Sequence, residues 1–135
     1  MKVLEAGDWS LLLPPEWIAE RDDESIIIAD RDEVGCLELS ELRKERGLFD
    51  ESDIHSLTDD ESLHWTPVSC GSFSGLQGTL TEEGAAIREW YIYAADLLLY
   101  VTYSCELENR GMDDAAVDDI LGTLSVDPDR VAPAA

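Results

Sequence analysis

A chain of 135 residues with 31 acids against 9 lysines and arginines carries a formal charge of −22 at pH 7, which argues against nucleic-acid backbones and anionic lipid as partners. Its apolar share of 44% is too high for a disordered chain, and at this length one domain can bury a core without metals or disulfides. Glu5 and Asp8 interrupt the apolar stretch that a secretory signal would need after Lys2, and Pro14-Pro15 end it. No run approaches the ~18 apolar residues of a membrane-spanning helix. Cys36, Cys70 and Cys105 show no CxxC spacing and read as buried thiols of a reducing compartment. The expectation is a cytoplasmic single domain over residues 1–127, with a loose Pro/Ala-rich tail over 128–135.

In chain order, DWSLLL (8–13) predicts a first strand, stopped by Pro14-Pro15, after which Glu16-Trp17-Ile18 read as a turn or short helical piece. The β-branched SIIIAD (25–30) and the alternating GCLELSELR (35–43) predict a hairpin around the polar turn DRDEVG. The period becomes helical over 50–64, where Ile54 and Leu57 lie about a turn apart and Asp50 or Ser52 can cap the start. Trp65-Thr66-Pro67 is expected to end that helix.

From Val68 the pattern is strand and turn repeated: VSCGSFSG, LQGTLTEEG, AIREWYIY and LLLYVTYSCE, with turns at Glu82-Glu83-Gly84 and Ala94-Ala95-Asp96. The last two strands are apolar on both faces, which places them at the middle of a sheet covered on both sides, or on one side plus a partner. MDDAAVDDILGTL predicts a closing amphipathic helix capped by Asp113 or Asp114. The order β-ββ-α-ββββ-α makes the fold α+β, an antiparallel sheet covered by helices.

The early DWSLLLPPEW, the hairpin GSFSGLQGTLTEEG, the pair REWYIYAADLLLYVTYSCE and the closing DDAAVDDILGTLSV, in that order, resemble the PsbP-like α/β/α sandwich. Among bacterial members the nearest in pattern are small uncharacterised domains and the Eag-type chaperones of type VI secretion effectors. The resemblance covers nearly the whole chain, contains no catalytic motif, and implies a binding scaffold: an adaptor, chaperone or accessory subunit. It carries no family site onto numbered residues.

Motifs that could hold chemistry fail on residue type or context. Asp30, Asp32, Gly35 and Glu41 match positions of a calcium loop, but Val34 stands where an oxygen ligand belongs and the flanks read as strands. His55 and His64 lack paired metal-ligand spacing. GSFSG is not GxSxG and sits between strands. Cys70 near His64 reads as a small buried hydrophobe. No catalytic residue, metal ligand or cofactor is expected.

The acidic clusters remain. Asp50, Glu51, Asp53, Asp59, Asp60 and Glu61 stand together without a base; Asp113, Asp114, Asp118 and Asp119 form a second group, and Glu20, Asp22, Asp23 and Glu24 surround Arg21. Such density costs stability by self-repulsion, which a basic partner would relieve while gaining fast association. The first of these clusters, with Trp65 and Tyr91, forms the expected partner-binding set, since aromatic anchors inside a charged rim carry most binding energy; Trp90 reads as core. The leading expectation is a non-enzymatic immunity protein that occludes the active site of a basic toxin. An Eag-type chaperone, which needs an exposed apolar sheet face, and charge serving solubility alone stay open, as does the oligomeric state.

Overall fold

The computed structural model describes residues 2–59 and 64–127. Its elements are β1 (Lys2–Glu5), β2 (Trp9–Leu13), β3 (Trp17–Arg21), β4 (Ser25–Asp30), β5 (Gly35–Arg43), α1 (Glu51–Leu57), β6 (His64–Cys70), β7 (Phe73–Glu82), β8 (Ala85–Ala94), β9 (Leu97–Glu106), α2 (Asp114–Gly122) and β10 (Ser125–Val126). Seven strands form an antiparallel sheet in the order β3-β4-β5-β9-β8-β7-β6, and β1-β2-β10 form a small second sheet. The fold is α+β, as expected, and β8 and β9 stand well inside the large sheet rather than at its edges.

Alternation sorts the residues of each strand between two faces. Trp17, Ile26, Ile28, Leu37, Leu39, Leu99, Val101, Trp90 and Ile92 point to one side. There they pack with Trp9, Leu11 and Leu13 of β2, Val126 of β10, and Val117, Ile120 and Leu121 of α2. This is the main core, and Trp90 belongs to it. The other face is covered at one corner, where Phe49 and Ile54 sit on Leu98 with Leu76, Tyr91 and Tyr93 around them. Among the described residues, one face is packed and much of the other is open.

Several boundaries differ from expectation for stated reasons. Trp17-Ile18 are strand, not turn or helix: Trp17 is 4% exposed in the core, and the prolines only make the corner, with the Trp17 N–H donating to the Pro14 carbonyl. Lys2–Glu5 add an unforeseen strand paired with β2. Helix α1 stops at Leu57, and Trp65-Thr66-Pro67 do not end a helix but run through β6. Pro67 is tolerated because β6 is an edge strand.

The hairpin turn after β6 is at Gly71-Ser72, so VSCGSFSG is not one strand. Gly71 adopts φ +61 there, a conformation glycine takes without steric cost. The Asp113 carboxylate makes no cap bond to α2; it accepts from the Tyr103 hydroxyl at 2.5 Å, both groups being buried. Cys70 and Cys105 are buried and Cys36 is half-buried, all three free. The tail expected over 128–135 lies outside the described residues.

Candidate partner-binding face

The registers of β6 to β9 and of β3 to β5 place the open-face residues in rows that cross the strands. One row runs Leu76, Tyr91, Tyr100, Ser40. The next runs Trp65, Gly78, Glu89, Thr102, Glu38, Ile27, Glu20. A third runs Leu80, Ile87, Ser104, Cys36, and Ala29 and Ile18 continue that side on β4 and β3. The face is thus an acid-bearing row between an aromatic and an aliphatic one.

Three aromatic rings form a connected group on it. Trp65 and Tyr91 have ring centroids 5.7 Å apart at 53°, and Tyr91 and Tyr100 are 4.7 Å apart at 30°. Gly78 makes room for the indole: a Cβ there would lie 3.0 Å from the Trp65 ring. The Trp65 indole N–H is buried and has no hydrogen-bond partner among the described residues. Burial and then the neighbouring Glu89 carboxylate push the Tyr91 and Tyr100 hydroxyls above the ordinary tyrosine range. The ring group is therefore polar at its rim, half-exposed, and surrounded by negative charge.

The expected partner-binding residues divide. Trp65 and Tyr91 come together on this face. Asp50 and Asp53 are occupied in holding α1: the Asp53 N–H donates to the Asp50 carboxylate at 3.1 Å and the Asp50 N–H to the Asp53 carboxylate at 3.0 Å, a reciprocal capping pair. Lys44 adds an ion pair to Asp53 at 2.8 Å, and this bond, more than the Asp50 N–H, lowers the Asp53 pKa. The same ammonium lies 5.2 Å from the Phe49 ring. Glu51 borders a groove of about 500 Å³ between α1 and β6–β7, lined also by Ile54, His55, Pro67, Leu76 and Tyr93. Asp59 is exposed. Asp60 and Glu61 lie outside the described residues.

Glu38, Glu89 and Tyr100 were not singled out from the sequence. Each lies on a strand whose face was legible, but which residues sit side by side depends on the register of four separate pairings.

Other candidate chemistry resolves into structure. The residues of the calcium-like run are split, with Asp30 ending β4, Gly35 opening β5 and Glu41 accepting from the Trp9 indole at 3.0 Å. No cluster of three or more metal-ligating side chains occurs among the described residues. His64 and Cys70 stand at opposite ends of β6, and burial pushes the Cys70 thiol up to about 11, where it is protonated and inert at neutral pH. A cleft of about 680 Å³ on the packed side of β6–β8 is lined by His64, Gln77, Arg88, Arg110 and Asp114. Its central guanidinium is already engaged: Arg88 bonds Asp118 at 2.7 Å, Asp114 at 3.3 Å and Gln77 at 3.2 Å, and stacks 4.6 Å from the Trp90 ring. No helix among the described residues is long and apolar enough to cross a membrane.

No family model matches the chain, and no curated protein matches it in sequence. Solved structures do. The chain is similar to a protein of Bacteroides thetaiotaomicron at TM-score 0.66 and 16% identity, over 87% of this chain but only 44% of that one, so it spans less than half of that protein's length. It is similar to LpqN, involved in cell envelope biogenesis of Mycobacterium tuberculosis, at TM-score 0.58 and 16% identity, over 94% of this chain and 90% of LpqN. The PsbP protein of the cyanobacterium Synechocystis matches at TM-score 0.44 and 11% identity, over 88% of this chain and 86% of that one. The first two likenesses show a shared fold.

Proposed function

We propose that this chain is a non-enzymatic binding module that captures a protein on the open face of its large sheet, and that it serves as an acidic immunity protein covering the active site of a basic toxin. The observation that supports this most directly is the Trp65–Tyr91–Tyr100 ring group set beside Glu89 and Glu38 on that face. Rigid aromatic anchors give contact area at low entropic cost. The carboxylates around them select a cationic surface and speed its approach. Arg43, Lys44 and Arg88 pair with acids of their own chain, while Glu20, Glu38 and Glu89 on this face have no ion-pair partner among the described residues.

A second reading has its own observation. Ile18 is 51% and Leu42 is 56% exposed on the same face, which suits a chaperone or adaptor of the Eag type holding an apolar effector segment. Salt separates the two, since it weakens electrostatic capture and spares apolar capture.

The test is capture from native lysate, identification of what is retained, and rebuilding of the complex from purified parts with wild type and with Tyr91→Glu. A basic partner that binds one to one, weakens with salt and is lost in the variant supports the immunity reading. An apolar segment held at both low and high salt supports the chaperone. A partner bound equally well by Tyr91→Glu overturns the assignment of this face.

A further inference from the structure

We propose that the occupant of the open face is an amphipathic helix with a lysine or arginine at every seventh position, lying across the strands with its cations over Glu20, Glu38 and Glu89. The inference rests on the capture reading and gives the partner a shape and a charge pattern.

Glu89 is on β8, Glu38 on β5 and Glu20 on β3, in one row, with β9 between the first two and β4 between the last two. Neighbouring strands lie ~4.8 Å apart, so the three carboxyl-bearing positions repeat at roughly 9.6 Å. Seven residues of α-helix rise ~10.5 Å and return to within about 20° of the same face. An extended strand repeats a face every ~6.7 Å and misses that interval.

Width argues the same way. The aromatic row and the aliphatic row lie two residues to either side of the acids, roughly 6.7 Å away in each direction. A helix, ~10 Å across, rests on both at once. A polyproline-type segment with a cation at every third residue matches the interval at ~9.3 Å but is too thin to touch both rows.

Charge completes the case. Among the described residues none of the three glutamates has an ion-pair partner, while Arg43, Lys44 and Arg88 are engaged with Asp8, Asp53 and the Asp114–Asp118 pair. Lysine and arginine stems are long enough to lie along Tyr91, Tyr100 and Ile87 while their heads reach the carboxylates.

The probe is a labelled amphipathic peptide with three heptad-spaced arginines, compared with a peptide of identical composition whose arginines stand five residues apart. Binding is read by fluorescence anisotropy at low salt. Three exposed ion pairs at roughly twofold each multiply to about eightfold, and that preference for the heptad peptide is the expected result. The triple variant Glu20→Gln/Glu38→Gln/Glu89→Gln loses the preference. Neutralising Glu83, Glu108 and Asp119, which lie elsewhere, keeps it; circular dichroism confirms that both variants fold. Equal binding of the two peptides, or a preference that survives the triple variant, overturns the inference. If a natural partner is nonetheless lost in Tyr91→Glu, the capture reading stands without it; if that variant also binds normally, both fall.

Discussion

Gly71→Ala tests how the edge strand that carries Trp65 is anchored. Gly71 turns β6 into β7 at φ +61, and a Cβ built there lies 1.9 Å from the Leu124 carbonyl oxygen and 2.9 Å from its carbon. The obstacle is backbone, so no side-chain rotation relieves it. The left-handed conformation costs an alanine about 1–2 kcal/mol. To escape the clash the turn lifts from Leu124, in the short link between α2 and β10, where the Ser72 N–H donates to the Leu124 carbonyl at 2.9 Å, and a lost bond of that kind costs ~0.5–1.5 kcal/mol. Leu124 is buried, and crowding a packed site adds about 1–3 kcal/mol. The sum, about 3–6 kcal/mol, is a large part of the ~5–15 kcal/mol that a domain has. Gly84→Ala is the control: its φ is +84, yet nothing lies within 4 Å of the added Cβ, so only the conformational cost of about 1–2 kcal/mol applies. Urea unfolding followed by tryptophan fluorescence compares the two. A Gly71→Ala loss within about 0.5 kcal/mol of the Gly84→Ala loss, a gap no larger than the error of such differences, would refute the docking of this turn on Leu124.

Thermal stability rises with NaCl between about 0.01 and 1 M, as the screening length falls from roughly 30 to 3 Å and self-repulsion of the −22 charge is damped; a falling melting temperature would show that internal ion pairs outweigh repulsion. Stability falls in alkali. Burial holds the Cys70 thiol at about 11, and burial with the Asp113 bond raises the Tyr103 hydroxyl. Both groups keep a proton in the folded state that the unfolded chain releases, so their contribution is full below the unfolded values and lost as pH rises, about 1.4 kcal/mol per unit for each group. For Cys70 this spans about pH 9 to 11 and totals roughly 2–3 kcal/mol; flat urea midpoints from pH 8 to 11 would contradict it. Arg88→Met leaves Asp114 and Asp118 facing each other across one helical turn without their cation, at a cost of about 1–2 kcal/mol by urea unfolding that salt partly restores. Asp50→Ala removes the α1 cap bond and costs ~1 kcal/mol, whereas Asp50→Ser is near neutral; equal losses would show that the cap bond is immaterial.

Much of the architecture was legible because local patterns were strong. Apolar residues on both faces of AIREWYIY and LLLYVTYSCE placed β8 and β9 inside the sheet, as observed, and of the two cap candidates offered by residue type, Asp50 and Ser52, Asp50 is the cap. The errors occurred where long-range packing overrode a local signal. Pro14-Pro15 suggested a break that persists, but Trp17 is drawn into the core and β3 pairs with β4. Pro67 suggested the end of a helix, yet an edge strand needs no ladder hydrogen bond from it. Asp113 had the sequence position of a cap and instead meets Tyr103, ten residues away on β9.

The candidate face shows why function is harder to read than fold. Trp65 and Tyr91, the aromatics expected inside a charged rim, are in contact; their third member, Tyr100, and the carboxylates Glu89 and Glu38 come from strands that only register aligns. The acid count misled in a specific way, since Asp50 and Asp53, the start of the densest acidic run, face each other's backbone and Lys44. What distinguishes an acid that recognises a partner from one that builds the fold is whether the chain supplies its counter-charge. By that criterion Asp8, Asp53, Asp114 and Asp118 are engaged, and Glu89, beside the half-buried Tyr91 and Tyr100, is not. The tyrosine hydroxyls beside Glu89 are neutral at physiological pH and sit well next to a carboxylate; what the free protein leaves unmet is the charge of Glu89 itself. A cation placed over Glu89 supplies the counter-charge that the described residues of the chain do not.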